Sequence, residues 1–182
     1  GLYSNVIADS SFFILFLNDI NSPSYLTKIV KRYKFIVTPR IKEEITKKEE
    51  NKRWLELNGE QFDERTASVE LEKLFSPFIS KNEELYKKGE YEIICLAYIL
   101  KDDIDFLLII DDDDARRLIK SHLPDLENHL CYTTKFIEIC TCETRIFNKS
   151  EALHIIKKMS ETRKFRIKQN ILAQIEDNIR RW

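Results

Sequence analysis

The chain reads as an α/β domain, a central parallel sheet flanked by helices on both faces. Three features predict it. Short apolar runs rich in strand formers, of which Phe106-Leu107-Leu108-Ile109-Ile110 is the clearest, are bounded by charge, as suits strands buried on both faces of a parallel sheet. These runs alternate with helical stretches, and no internal repeat breaks the alternation. Acids stand where two of the runs end: Asp9 after 5–8, and Asp111-Asp112-Asp113-Asp114 after 106–110. In open α/β sheets ligands bind at the carboxyl ends of the strands, so these acids mark the edge where a site is expected.

The elements follow in order. Asn5-Val6-Ile7-Ala8-Asp9 is a brief strand ending in an acid. Ser10 and Ser11 are placed to cap the next helix, whose apolar face includes Phe13, Leu17 and Ile20. Ser22-Pro23 restarts a helix with Leu26, Ile29 and Val30 inward and Lys28, Lys31 and Arg32 outward. A second strand spans 33–37. Thr38-Pro39 is a cap followed by proline at the first helical position, and that helix runs through Glu43, Glu44 and Ile45 into a charged stretch ending at Arg53. Residues 54–68 read as a connection, a hairpin or a loop. Helices are expected at 69–79, broken by Pro77, and at 83–88. Gly89 then precedes a strongly apolar helix at 90–100. The strand at 106–110, the four aspartates and a helix to His122 come next. A short strand at 130–132, a helix from Thr133-Thr134 to Cys142, an amphipathic helix at 150–159 and a last helix at 167–179 complete the order.

Composition narrows the function. The 182 residues, 43% of them hydrophobic, suit one domain with a full core. A net charge of -1 excludes a polycation, so any contact with nucleic acid has to be local. Three glycines are too few for the usual phosphate-cradling loops. Cys95 and Cys131 lie in apolar contexts, and Cys140 and Cys142 are too close together for a standard zinc pair. A reducing cytoplasm is the simplest setting, and the apolar stretch at 12–17 is too short for a signal peptide or a membrane span.

The aspartate run exceeds what folding needs. One cap and one first-turn carboxylate satisfy a helix N-terminus, at ~0.3–1 kcal/mol each through the dipole. Four adjacent acids repel one another, and the excess points to a cation, with a solvated acidic turn as the competing reading. Asp9 is harder to explain structurally, because an apolar strand gains nothing from ending in an acid. If the two strands are neighbours, Asp9, Asp111 and Asp112 converge. Glu44, one turn into the helix after Pro39, and Glu92, in the first turn after Gly89, are placed to join them, although both also suit ordinary helix positions. Hard cations such as Mg²⁺ and Mn²⁺ take oxygen ligands, and one or two of them can activate water and stabilise the leaving oxygen in phosphodiester cleavage. Ser10 or Ser11 is placed to hydrogen-bond a ligand carboxylate, and Arg116 suits a phosphate or a surface ion pair with Asp112 or Asp113. His122, His129 and His154 carry no ligand spacing. Basic residues cluster at Lys28, Lys31, Arg32 and Lys34, and again at Lys157, Lys158, Arg163, Lys164, Arg166 and Lys168. Each cluster reads as a solvated helix face, or as the phosphate-contacting surface that an RNA substrate requires.

Four stretches in order resemble the motifs of PIN domains: Val6-Ile7-Ala8-Asp9-Ser10-Ser11, Val37-Thr38-Pro39-Arg40-Ile41-Lys42-Glu43-Glu44-Ile45, Gly89-Glu90-Tyr91-Glu92-Ile93-Ile94-Cys95-Leu96-Ala97 and Ile109-Ile110-Asp111-Asp112-Asp113-Asp114-Ala115-Arg116. Lys164-Phe165-Arg166-Ile167 is similar to a segment of one prokaryotic PIN subgroup. The family comprises metal-dependent ribonucleases, including toxins of the VapC type. The resemblance implies one PIN-like domain over 1–182, with a long connection around 50–85 and a helical extension from about 160. It implies Asp9, Glu44, Glu92 and Asp112 as catalytic acids and as ligands of Mg²⁺ or Mn²⁺. Asp111 is a close rival of Asp112 as a ligand, and Glu90 a weaker rival of Glu92. Ser10 and Arg116 are weaker candidates for contact with substrate. RNA as substrate, an antitoxin protein as partner, a homodimer and a cytoplasmic setting complete the expectation. The family often has Thr or Ser shortly before the fourth acid, where Ile109-Ile110 stand here.

Three other readings compete. A phosphoryl-acceptor signalling domain would need an acid pair after the first strand and a lysine after the last, whereas Ser10 and Ser11 follow Asp9. A phosphatase with a nucleophilic Asp would want a second acid where Ser11 stands. A PIN-like scaffold that binds RNA or protein without cutting is the closer alternative, and retention of all four acids argues against it.

Overall fold

A computed structural model describes residues 4–66, 90–164 and 167–182. The helices expected at 69–79 and 83–88 lie outside the described residues. Five strands form one parallel sheet: β1 (Asn5–Ala8), β2 (Lys34–Val37), β3 (Asp63–Glu64), β4 (Phe106–Ile109) and β5 (Leu130–Cys131), in the order β3-β2-β1-β4-β5. In the central strand, Val6 stands opposite Phe35 on one side and Leu107 on the other. Successive side chains of a strand point to opposite faces, so a strand buried at every position is covered on both. β4 is buried throughout, and β1 and β2 are buried from their second residue onward. The α/β architecture with a parallel sheet and flanking helices is therefore as expected.

The strand order has a functional consequence. From β1 the chain builds outward through β2 to β3, then returns to the other side of β1 for β4 and β5. The reversal falls between β1 and β4, and a crevice opens outside the carboxyl ends of strands at such a switch point. Asp9 and the run 111–114 follow those two ends.

The helices are α1 (Ser10–Ile14), α2 (Pro23–Arg32), α3 (Pro39–Ile45), α4 (Glu49–Asn58), α5 (Glu90–Leu100), α6 (Asp113–His122), α7 (Thr133–Cys142), α8 (Lys149–Glu161) and α9 (Gln169–Arg181). None of the described helices is long and apolar enough to cross a membrane. α1 passes into a π-turn, Leu15–Asp19, where one regular helix to Ile20 was expected. Thr38 caps α3 by accepting from the Ile41 amide, with Pro39 in the first turn, as its sequence predicts.

The region from Glu43 to residue 68 departs from expectation. The charged helix is two helices, α3 and α4, broken at residues 46–48. The supposed loop from Trp54 is the second half of α4, followed by a turn and the edge strand β3. Trp54 explains the helix: it is buried, and its Nε1 donates to Thr27 Oγ1 of α2 at 3.0 Å. β3 escapes a pattern search because two acidic residues show no alternation. Its place comes from pairing with Ile36 and Val37.

An aromatic cluster joins α1 to the sheet. Phe12 stacks on Phe35 of β2 at 5.6 Å and meets Phe16 and Phe136 edge-on at 5.4 and 5.7 Å. Phe12 is fully buried next to Asp9, three residues along the same α1 entry. Truncating Phe12 to Ala should lower stability by about 3–5 kcal/mol and the melting midpoint by about 10 °C, measured by thermal unfolding followed by circular dichroism.

Candidate active site

Because β1 and β4 pair, their terminal acids meet. A cavity of about 710 Å³ opens there, lined by seven acids: Asp9, Asp19, Glu90, Asp111, Asp112, Asp113 and Asp114. Five parts of the chain contribute: the β1–α1 junction, the π-turn, the start of α5, the β4–α6 junction and Lys164 beyond α8. Lys164 and Arg117 are the cations on its wall.

Asp9 occupies the N-cap position of α1, but its side chain makes no capping bond. Ser11 Oγ donates to its Oδ2 at 3.3 Å. Burial pushes the carboxyl up to about 6, and the charges of Glu44 and Asp111 add to the shift against the hydrogen bonds from Ser10 and Ser11. Burial likewise raises Asp111, against the bonds it accepts from Thr133 N at 2.8 Å and Thr133 Oγ1 at 2.5 Å. Burial also raises Asp19, against the pull of Lys164 and Lys48. Asp112 caps α6, accepting from the Ala115 amide at 3.0 Å. Asp113 pairs with Lys168 at 3.2 Å, and Asp114 with Arg117.

Glu44 does not line the cavity, yet it stands next to it. Its Oε2 accepts a short hydrogen bond from the buried Ser10 Oγ, and its Oε1 is 3.5 Å from Arg40 Nε. Ser10 therefore couples Glu44 to the cavity instead of capping α1. Of the two α5 acids, the buried Glu90 lines the cavity and Glu92 does not. Two residues along a helix is about 200° around its axis, so the two side chains cannot serve the same site. The packing of α5 selects the acid that the motif comparison ranked second.

Among the described residues, no group of three or more His, Cys, Asp and Glu side chains is arranged to hold a metal ion. Asp111, Asp112 and Glu44 turn to Thr133, Ala115 and Ser10 instead. The donor chemistry fits a hard divalent cation all the same. The wall offers carboxylate oxygens, and Asp9 is a half-buried carboxyl beside two like charges, a group whose ionised form a cation would stabilise.

Arg116 makes two contacts that its place in the sequence does not predict. Its guanidinium lies over the Tyr132 ring, 3.6 Å from the centroid, and donates to the Ile110 carbonyl at 2.9 Å. It braces the end of the β4 strand. Tyr132 itself lines a second cavity of about 500 Å³, which shares Asp111 and Asp113 with the first and adds Arg163, Ile167, Lys168 and Ile171. The second basic cluster thus splits: Arg163, Lys164 and Lys168 reach the two cavities, Lys158 donates to the Ile20 carbonyl, and Arg166 lies outside the described residues. In the first cluster, Lys28 pairs with Glu151 at 2.5 Å and Lys34 with Asp63 at 3.8 Å.

Sequence reasoning passed over Asp19 and Tyr132. Asp19 reaches the cavity through the π-turn, which has no sequence signature. Tyr132 was findable, since it directly follows β5 at the same sheet edge. The chain matches no family model, no curated protein and no solved structure.

The raised Asp9 carboxyl makes stability depend on pH. Folded, it titrates at about 6; unfolded, at its ordinary 3.8. Between these values the folded chain binds more protons, so stability falls as pH rises through the window and stays lower above it. The penalty at neutral pH is about 3 kcal/mol, from 1.36 kcal/mol per unit. Asp9→Asn should therefore melt above wild type at pH 7 in EDTA, with the gain vanishing below pH 4. Parallel melts at both pH values check this.

Proposed function

We propose that the chain is a PIN-type endoribonuclease dependent on Mg²⁺ or Mn²⁺. The observation that carries the reading is the acid-lined cavity at the β1–β4 switch point, with Asp9, Glu90, Asp111 and Asp112 on its wall. In this reading Asp9, Glu90, Asp111 and Asp112 hold the ion, and Glu44 supports them through Ser10. Glu90 stands where the motif comparison put Glu92. When bound, the ion supplies a Lewis acid and an activated water for phosphodiester hydrolysis.

The protein's own groups do the rest. Thr133 fixes the Asp111 carboxylate with two hydrogen bonds. Asp9, whose carboxyl burial raises in the metal-free chain, gains most from a cation that favours its ionised form. Lys164 and Arg117 on the wall, with Arg163 and Lys168 beside it, offer the cations that a phosphate backbone requires. The motif resemblance extends the proposal to a cytoplasmic toxin that dimerises and is restrained by an antitoxin.

One observation favours the alternative, a PIN-like scaffold that binds RNA or protein without cutting. Three of the expected ligands, Asp111, Asp112 and Glu44, are engaged by donors within the fold. Cleavage of a labelled RNA separates the two readings. The nuclease reading expects cutting with Mn²⁺ or Mg²⁺, none with EDTA, and a loss of about a hundredfold or more in Asp9→Asn. Metal-dependent binding without cutting would support the scaffold, and equal activity in Asp9→Asn would reject the site.

A further inference from the structure

The second cavity is built differently from the acidic one next to it. Its wall combines an aromatic ring, Tyr132, with the apolar side chains of Ile167 and Ile171. Arg116 covers one face of that ring and holds it in place. Carboxylates of Asp111 and Asp113 stand on one side, and the cations Arg163 and Lys168 also face the space. Its volume, about 500 Å³, falls in the range of small-ligand sites and exceeds the needs of one base. A ring, aliphatic cover, hydrogen-bond acceptors and cations together suit a flat heterocycle with polar edges. Single-stranded RNA presents its bases in that way, splayed onto aromatic side chains and read along their edges.

We propose that this cavity seats a guanine base of the RNA strand, next to the phosphate to be cut. The inference takes its ligand class from the nuclease reading. The shared wall of Asp111 and Asp113 is what joins base recognition to the acidic cavity. The edge chemistry selects guanine. Its N1–H and N2–H lie side by side and match the two oxygens of one carboxylate, while its O6 and N7 accept from an arginine or lysine. Asp113, the exposed carboxylate of the two, holds Lys168 at 3.2 Å, so the base would exchange that pair for contacts of its own, N1–H and N2–H to Asp113 and O6 and N7 to Lys168 or Arg163. Uracil offers one N–H between two carbonyls, which would meet the carboxylates with repulsion. Adenine and cytosine each offer one amino group and fall between.

Binding of the four nucleosides to the full chain tests this. Guanosine, adenosine, cytidine and uridine carry no phosphate for the acids to repel, and EDTA keeps metal and cleavage out of the measurement. Chemical-shift titration should show guanosine binding about tenfold more tightly than uridine. Ile171→Trp, which fills the cavity, should abolish guanosine binding while the rest of the spectrum stays folded. If that variant does not fold, Asp113→Asn should erase the preference for guanosine over uridine. Equal binding of all four nucleosides overturns the proposal, as does guanosine binding that survives in a folded Ile171→Trp. A chain that binds guanosine here but does not cut RNA keeps the base site and loses the nuclease reading. A chain that cuts RNA without preferring guanosine loses only the base site.

Discussion

A half-buried carboxylate fixed at the end of the central strand is the constraint on which this edge of the protein depends. β1 is paired on both sides, so the backbone that delivers Asp9 cannot give way. β4 brings Asp111 alongside, and α3 brings Glu44. Like charges gathered at a partly desolvated edge raise each other's proton affinity and weaken the fold. The neighbouring donors read as the answer to that load. Ser11 serves Asp9, Ser10 serves Glu44, Thr133 serves Asp111, and the Ala115 amide serves Asp112. These bonds do not bring Asp9 back to the ordinary carboxylate range. A divalent cation would do more, which agrees with the reading that the acid-lined cavity carries.

The C-terminal helices bring compensating charge to the same edge. α8 is set by a capping box, in which Asn148 accepts from the Glu151 amide at 2.8 Å while Glu151 accepts from the Asn148 amide at 3.2 Å. Glu151 also pairs with Lys28, and His154 is 2.8 Å from the Tyr25 hydroxyl, so α8 is tied to α2. α7, α8 and α9 pack on one another, and the chain between α8 and α9 carries Arg163, Lys164 and Lys168 back to the cavities. A nearly neutral chain thus places acids and bases side by side at one location. Acids suit a cation and bases suit a phosphate, and neither could be read from the net charge.

Much of the sheet was legible in the sequence, because strands covered on both faces must be apolar throughout. The buried runs at β1, β2 and β4 are of that kind, and the acids that follow β1 and β4 stood out against them. Thr38-Pro39 announced α3 for an equally local reason. Features set by packing were not legible. Glu90 and Glu92 share a helical turn, and only the docking of α5 decides which of them faces the cavity. The π-turn that brings Asp19 in is a defect in a helix whose sequence looks regular. β3 is two acidic residues paired to β2, and Trp54 reads as a loop residue until α2 is placed against it. Arg116 follows four aspartates and suggests a surface ion pair, yet its contacts are the Tyr132 ring and the Ile110 carbonyl, with its charge felt by Asp111.

The central proposal is that the carboxylates of this edge bind a divalent cation. The most direct measurement is an NMR titration of the Asp9 carboxyl with pH, with and without saturating Mg²⁺. Without the ion the account predicts a midpoint of about 6. A bound cation favours the ionised form and releases the proton, so with Mg²⁺ the midpoint should fall below the ordinary carboxylate value. An Asp9 midpoint that stays near 6 at every Mg²⁺ concentration would contradict the account.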